Sequence, residues 1–204
     1  MTTYAFPTLS RSAPPEVIFG LRANTQVFTS PLSGGVQTLE LPGARWTQSF
    51  TWPQLDEADA SDLQAWCMQM RGQANRAALK VYHRPVPRGS IALAGVTLSA
   101  SVAQFAAGAT LAGCGAGATL QAGDYFAVGT ELKMAVADAT ANGAGVMSVT
   151  FEPPVRASTG WSAGAAVVTN APTAVYVLTD PHVKWTTGRG VRTSIALDFV
   201  EVFA

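Results

Sequence analysis

The 204-residue chain carries 13 basic and 13 acidic side chains, so its formal net charge at pH 7 is zero. This balance excludes the basic footprint of a general nucleic-acid binder, and a 48% apolar content is enough for a real hydrophobic core. No apolar run approaches the roughly 18 residues that a membrane helix needs. We therefore expect a folded protein of one large β domain or two small ones, with no membrane contact and no specific nucleic-acid binding.

The start of the chain and its cysteines indicate where the protein is made. The first twenty residues contain no basic segment followed by an apolar one, so we expect no secretory signal and synthesis in the cytoplasm. A reducing compartment favours free thiols at Cys67 and Cys114 over a disulfide. Neither these cysteines nor the two histidines, His83 and His182, have metal-ligand spacing, so we expect no metal and no cofactor.

A strand, a helix and a second strand are predicted within residues 46–82. Alternate residues of a strand project to the same side, which places an aromatic row on one face of the first strand. The side chains of that row are Trp46, Gln48, Phe50 and Trp52. Pro53 is expected to end the strand, because proline cannot donate a hydrogen bond to a sheet.

The helix is predicted over about residues 57–71. Apolar residues recur there at positions i, i+3, i+4 and i+7, and acidic residues crowd the first turns, where they oppose the positive end of the helix dipole. Arg71 and Gly72 suit the C-terminal end as a cation and a left-handed cap. We expect the apolar face of the helix to pack on the aromatic row of the strand, which gives a predicted core of Trp46, Phe50, Trp52, Leu63, Trp66 and Met70.

Proline-containing linkers at residues 85–89 and 170–172 flank a segment whose amino-acid composition differs from that of the rest of the chain. Glycine-rich turns separate five short β-prone runs in this segment. The runs are residues 91–102, 125–128, 132–136, 146–151 and 165–168. Five short strands over some eighty residues favour an OB-like Greek-key barrel, with a small β-sandwich as the alternative.

The chain is therefore predicted to be mainly β, with a discontinuous outer domain. Residues 1–86 and 171–204 form that domain, and residues 87–170 form the inserted barrel. Residues 174–178 and 193–202 alternate in polarity and complete the sheet of the outer domain. Insertion of one domain into another is tolerated at a surface loop, whose ends already lie close together.

Short motifs recur in order along nearly the whole chain. In the outer domain they are residues 30–35 (SPLSGG) with Gln37, residues 42–46 (PGARW), Arg71 and Gly72 at the helix end, and residues 87–89 (PRG). In the insertion they are residues 120–126 (LQAGDYF), Gly129, Val136, Gly145, Val149 and residues 151–156. Together they resemble the distal tail proteins of long, non-contractile-tailed bacteriophages (siphophages), in the branch that carries an inserted OB-like domain.

The resemblance implies a structural virion protein and no enzyme. It implies a β-sandwich-like ring (belt) domain that assembles as a homohexamer at the tail tip. The ring would connect the tail tube protein to the baseplate hub protein, and tail fibre or receptor-binding proteins would attach outside it. The inserted barrel would face outward, where it anchors fibres or holds a glycan of the host surface.

A ring subunit needs two different surfaces that meet head to tail, and exposed β edges are natural candidates for them. The predicted edges are the strand and turn near the start of the outer domain and the terminal strand. The candidate ring-interface residues are Thr25, Gln26, Val27, Phe28, Ser30, Pro31, Gly34 and Gly35.

Two other functions compete with the ring subunit. A carbohydrate-binding module that attaches the virion to host glycans is the stronger alternative, because the aromatic residues Tyr125, Phe126 and Trp161 would stack on sugar rings if exposed. Adjacent strand residues point to opposite faces, so at most one of Tyr125 and Phe126 belongs to the barrel core, and the candidate outer contacts are Trp161 and Tyr125. A polysaccharide-cleaving enzyme would need paired carboxylates. Asp124 has no partner in forced geometry, so its predicted role is to cap a turn.

Overall fold

The computed structural model describes residues 1–9 and 15–203, and within them the chain is mainly β with one α-helix. Part of the segment on which the absence of a secretory signal was argued, residues 10–14, lies outside the described residues. In chain order the elements are β1 (Thr3–Ala5), β2 (Glu16–Arg22), β3 (Thr25–Thr29), β4 (Val36–Glu40), β5 (Arg45–Leu55), α1 (Glu57–Met70), β6 (Arg76–Lys80), β7 (Thr97–Leu98), β8 (Gly108–Ala112), β9 (Thr119–Leu120), β10 (Tyr125–Val128), β11 (Glu131–Ala135), β12 (Ala139–Thr140), β13 (Met147–Glu152), β14 (Val167–Val168), β15 (Thr173–Leu178), β16 (Trp185–Thr187), the short 3-10 helix η1 (Arg189–Val191) and β17 (Thr193–Glu201).

A seven-stranded sheet is built from both ends of the chain. Its strands lie in the order β1-β6-β15-β17-β5-β2, with β16 paired to β17, and the β1–β6 pair is parallel. Helix α1 covers one face of this sheet through side chains that include Leu63, Trp66 and Met70. The long strand β5 supplies the opposing layer, and the six residues predicted for this core are all buried: Trp46, Phe50, Trp52, Leu63, Trp66 and Met70.

The helix ends one residue earlier than predicted. Its C-cap is Arg71, which adopts the left-handed conformation with φ of 48°, and Gly72 follows with φ of 64°. The amide of Arg71 donates a hydrogen bond to the carbonyl oxygen of Met68, so the last turn tightens. The predicted left-handed cap is therefore formed by two successive residues, Arg71 and Gly72.

The second sheet is a nearly closed barrel. Its six strands lie in the order β14-β10-β11-β13-β8-β7, and a bridge between Thr97 and Ala166 joins the two ends of this order. Strand β14 lies beside β10, the first strand of the meander β10-β11-β13, which is a Greek-key connection. The barrel has its own apolar core, which includes Leu111, Phe126 and Phe151.

Three details of the predicted strands are wrong. Strand β5 continues through Pro53 to Leu55 instead of ending at the proline. The run at residues 91–102 contains only the two-residue strand β7, and the barrel has six strands instead of five because β8 was not predicted. Outside β7, the buried residues Ile91, Val96 and Val102 reach the barrel core from loops, and single hydrogen bonds, such as those from the amides of Ile91 to Thr119 and of Ala92 to Cys114, replace a regular ladder there.

Candidate assembly surface

Strands β3 and β4 form a two-stranded ribbon that leaves the main sheet. We call residues 23–41 the arm. The pairing runs from Thr25 opposite Glu40 to Thr29 opposite Val36, and the ribbon is a sheet of its own with no third strand. At about 3.3 Å per residue, its five residue pairs extend roughly 17 Å.

Every residue from 21 to 40 except Ser30 is exposed. The arm nevertheless carries large apolar side chains on both faces, because residues two apart on a strand share a face. Val27 and Val36 lie on one face and Phe28 and Leu39 lie on the other, and each is about half exposed or more. Leu32, at the tip, is 97% exposed.

The arm is also free of charge. Residues 23–39 contain no acidic or basic side chain, although the whole chain has 26 of them, 13 of each sign. An isolated two-stranded ribbon is at best marginally stable in water, and an apolar, uncharged strand edge invites pairing with another chain. The arm therefore has the surface of a segment that becomes buried against a partner.

Hydrogen bonds fix the shape of the arm at its two ends. At the base, the amide of Leu41 donates to the carbonyl oxygen of Asn24 at 2.8 Å, and the Asn24 side-chain amide donates to the Pro42 carbonyl oxygen at 2.9 Å. At the tip, the amide of Gly34 donates to the Ser30 carbonyl oxygen at 2.9 Å. Gly34 has φ of 67°, a conformation that residues with a side chain rarely adopt.

A groove of about 320 Å³ opens beside the base of the arm. One wall is residues 40–44, the end of the arm and the turn that follows it, which together we call the arm base. The other wall comes from the barrel, with Phe105, Pro153 and Pro154. Arg156 also lines the groove, but its guanidinium is bonded to a carboxylate deeper in the protein. The groove is thus mainly apolar and lies where the two sheets meet.

Phe105 is held in an unusual conformation at the rim of this groove. Its φ is 66°, in the left-handed region, and its side chain is 57% exposed. Its amide donates to the carbonyl oxygen of Val155 at 2.7 Å, which fixes the backbone there. Strained residues persist where the surrounding structure determines them, and they cluster at binding sites.

Buried charges join the barrel to the main sheet behind the groove. Arg156 donates two hydrogen bonds to the carboxylate of Glu201, at 2.7 and 3.0 Å, and a third to the Ala44 carbonyl oxygen. Lys133 donates to Glu131 at 2.7 Å, and the amide of Arg156 donates to the same carboxylate. The sequence does not predict this network, although Arg156 ends the motif of residues 151–156.

Burial governs the pKa values in this network. It lowers the pKa of Lys133 to about 8, although the hydrogen bond and charge of Glu131 oppose the change. Burial would raise the pKa of Glu131, but hydrogen bonds from Lys133, Arg156 and Ala157, with the charge of Lys133, hold it below its ordinary value. At neutral pH both side chains of the pair are therefore charged.

Tyr125 and Trp161, the candidate outer contacts, are buried instead of exposed, at 7% and 6%. Trp161 stacks on Phe151 in the barrel core with ring centroids 5.5 Å apart. Tyr125 lies at the contact between the sheets, where its ring meets those of Trp46 and Phe19 edge to face. A loop tryptophan between small residues suggested exposure, but a barrel this small takes loop side chains to fill its core.

The remaining candidate polar residues have structural partners. The Asp124 carboxylate accepts hydrogen bonds from the amides of Arg88, Gly89 and Gln121, so it caps its own turn and also holds the linker at residues 87–89. The ring of His83 lies 5.4 Å from that of Tyr125. Burial and the neighbouring charge of Arg84 lower the pKa of His83.

No group of three or more histidine, cysteine, aspartate or glutamate residues in the described chain could hold a metal ion. Both cysteines, Cys67 and Cys114, are buried free thiols, and burial raises the pKa of Cys67 to about 12. No helix of the described residues is long and apolar enough to cross a membrane.

The chain matches no protein-family model and no curated protein sequence. The predicted ring-interface residues all lie on the arm or its tip. The terminal strand β17, also predicted as an edge, is not one, because it pairs with β15 on one side and β5 on the other. The groove at the arm base was not predicted. Its residues come from distant parts of the chain, and Phe105 stands in a segment without a motif.

Proposed function

We propose that the chain is a structural virion protein that forms a ring, with a hexamer as the expected form, at the distal end of a phage tail. The observation that carries the proposal is the arm: an uncharged ribbon whose apolar side chains, on both faces, are left exposed by the rest of the described residues. Such a surface is typical of a segment that pairs with another protein. The ordered motifs described above direct the proposal to the distal tail proteins.

A protruding arm suits a ring as well as a two-fold dimer with exchanged arms, and the ordered motifs favour the ring. In a ring, an arm that meets a different surface on its neighbour leaves an arm and a receiving surface free at the ends of the growing assembly. Rotation closes such a chain of contacts into a ring. The proposed partners of the ring are the tail tube protein, the baseplate hub protein and a fibre or receptor-binding protein, and its proposed location is the virion tail tip.

The carbohydrate-binding alternative is weakened, because its candidate contact residues are not exposed. Stacking on a sugar ring requires an exposed aromatic face, and both Tyr125 and Trp161 are buried. The structure offers no other observation that favours a glycan. We propose no enzymatic activity, because the Asp124 carboxylate is fully buried and is occupied by three backbone amides.

Mass in solution tests the proposal. The purified chain is passed over a sizing column with light scattering at concentrations that span a tenfold range, beside the arm variant Val27→Glu/Phe28→Glu. We expect the wild type to form a closed oligomer and the variant to elute as a folded monomer, since both substituted side chains are exposed in the single chain. Leu93→Glu, which changes a half-exposed residue of the barrel, is the control and should assemble normally.

Either of two results would count against the proposal. A variant that assembles like the wild type would show that the arm does not join subunits. If the wild type stays monomeric at every concentration, both alone and with a tail tube protein of the same phage, the proposed ring is wrong.

A further inference from the structure

We infer that the arm tip of one copy binds in the groove at the arm base of a second copy, with Leu32 and Phe28 against Phe105 and Pro154. This inference rests on the proposed ring and names the two surfaces that would meet in it. The occupant is a second copy of this chain, for reasons of shape, charge and backbone conformation.

Shape excludes the arm of the same chain as the occupant. The groove is lined by residues 40–44 at the base of the arm, whereas Leu32 lies at the opposite end of the ribbon. Five paired residues separate the two ends by roughly 17 Å, and hydrogen bonds at Asn24 and Ser30 hold both ends in shape. A tip cannot fold back onto its own base without breaking the ribbon, so it reaches a groove only in another molecule.

Charge makes the two surfaces compatible. The arm brings no charged side chain between residues 23 and 39, so its burial leaves no ion unpaired. In the groove, the charge of Arg156 is already neutralised by Glu201 at 2.7 Å. Glu40 lines the groove and is exposed in the single chain, and burial together with the charge of Glu40 raises the pKa of the neighbouring Glu152. An apolar, uncharged arm brings no further charge to this groove, and it binds best where the Glu40 carboxylate keeps its contact with water.

The groove is also preformed. Prolines at positions 153 and 154 stiffen one wall, and Phe105, held in the left-handed conformation, is 57% exposed at the rim. A volume of about 320 Å³ accommodates more than one side chain of the arm. Covering the Phe105 ring with apolar side chains removes the exposure that the single chain leaves.

Docking in this place would link one subunit contact to the next. The same residues, from Glu40 to Ala44, are a wall of the groove and the base of the subunit's own arm. A neighbour's arm in the groove therefore braces the arm that must reach the following subunit. Successive contacts would strengthen each other as the ring closes.

Complementary variants test the inference. One chain carries Phe28→Glu/Leu32→Glu and so has a defective arm with an intact groove; the other carries Phe105→Glu and has the opposite defect. Each alone should be monomeric, because every head-to-tail contact then lacks one surface. Their equimolar mixture should form a 1:1 dimer and nothing larger, since a single productive contact remains. Light scattering and native mass spectrometry count the subunits.

Site-specific cross-linking provides the second measurement. Leu32→Cys in one chain and Gln104→Cys in a differently tagged chain, both at exposed positions, are mixed and treated with a short bismaleimide. We expect a cross-link between the two tags at least tenfold more abundant than with the control pair Leu32→Cys and Leu93→Cys. Cys67 and Cys114 are buried and should not react.

The outcomes separate this inference from the proposed ring. A Phe105→Glu chain that assembles like the wild type, or equal cross-linking of both pairs, would overturn the docking site while the ring stands. If wild type and variants all stay monomeric, cross-linking at millimolar concentration decides: a selective Leu32 to Gln104 product supports docking, and its absence overturns it. Circular dichroism confirms that each variant is folded.

Discussion

Asp124 is an acidic residue whose position in a turn could be interpreted as catalytic or structural, and its contacts make it structural. Its carboxylate is fully buried and accepts three backbone N–H groups, with the guanidinium of Arg88 beside it at 3.6 Å. Burial alone would raise its pKa, but the hydrogen bonds from Arg88, Gln121 and Gly89 and the charge of Arg88 hold the pKa below its ordinary value of 3.8. The charged form is therefore the one that stabilises the fold.

The first prediction follows from the direction of that pKa. A carboxylate with a lowered pKa contributes stability that is present above about pH 4 and is lost as the pH falls further. Asp124→Asn should lower the free energy of unfolding at pH 7 by roughly 1–3 kcal/mol, the usual loss when hydrogen bonds to a charged group are weakened. Urea unfolding at pH 7, 5 and 3 measures this, and the difference from wild type should shrink at pH 3. Asp198→Asn, at an exposed strand position, should leave the free energy of unfolding unchanged at all three pH values.

Trp66 gives the second prediction. It is 5% exposed, its ring lies 5.0 Å from that of Phe6, and its indole N–H donates to the Ala5 carbonyl oxygen at 2.8 Å. Trp66→Ala should lower the free energy of unfolding by roughly 3–5 kcal/mol, because it leaves a large cavity under the helix. Met68→Ala, on the exposed side of α1, should change it by less than about 0.5 kcal/mol. Equal effects in denaturant unfolding would show that the buried face is wrongly assigned.

Among the elements, the helix and the alternating strands could be predicted because burial on one side leaves a period in the sequence. Pro53 is an exception, because the proline predicts the end of β5 whereas the strand continues to Leu55. Strand β2 pairs with β5 only as far as Thr51, and the register of β17 against β5 shifts between Thr193 and Ile195. Pro53 falls in that interrupted part of the ladder, where a missing donor costs nothing. The position of a bulge on a partner strand cannot be found from the strand itself.

The candidate surface was predictable in part for a similar reason. The arm is local, so its turn residues and uncharged strands stand together in the sequence. The groove joins residues 40–44 to Phe105 and Pro154, which come together only through the packing of the two sheets. Trp161 was misassigned because the glycine and serine around it indicate a loop but do not tell on which side of the barrel the loop packs its side chain.

The turn between β16 and β17 holds a β-branched residue in an unfavourable backbone conformation. Val191, a β-branched residue, has φ of 55° and is half exposed, so its side chain gains little from burial and opposes the backbone conformation. Val191→Gly should raise the free energy of unfolding by roughly 0.5–1 kcal/mol. It relieves the strain of a left-handed valine, and the larger conformational entropy of glycine in the unfolded chain offsets part of that gain. Val136→Gly, at a half-exposed position without positive φ, should lower it. Thermal unfolding of both variants checks the opposite signs.

For the whole molecule, the contact between the sheets decides how independent the two parts are. The division into residues 1–86 with 171–204 and residues 87–170 stays a prediction. The strands follow it, since every barrel strand lies between residues 97 and 168. The core does not stop at the boundary, because Tyr125 and Leu132 pack with the residues of the main sheet, and the Trp46 indole donates to the Leu132 carbonyl oxygen.

Arg156 is the residue whose loss should separate the two parts. Its side chain is 9% exposed and pairs with Glu201, which is fully buried. Removing one partner of a buried ion pair leaves an uncompensated charge, so Arg156→Ala should lower the free energy of unfolding by roughly 3–5 kcal/mol. The exposed pair Arg192–Asp56 is the control, and Arg192→Ala should cost less than about 1 kcal/mol. The double variant Arg156→Met/Glu201→Gln removes both charges and should recover most of the lost free energy of unfolding.

Hydrogen exchange should show the barrel and the main sheet opening separately in Arg156→Ala and together in the wild type. Unchanged stability and exchange in Arg156→Ala would mean that the apolar contacts of Trp46 and Tyr125 alone hold the two sheets together.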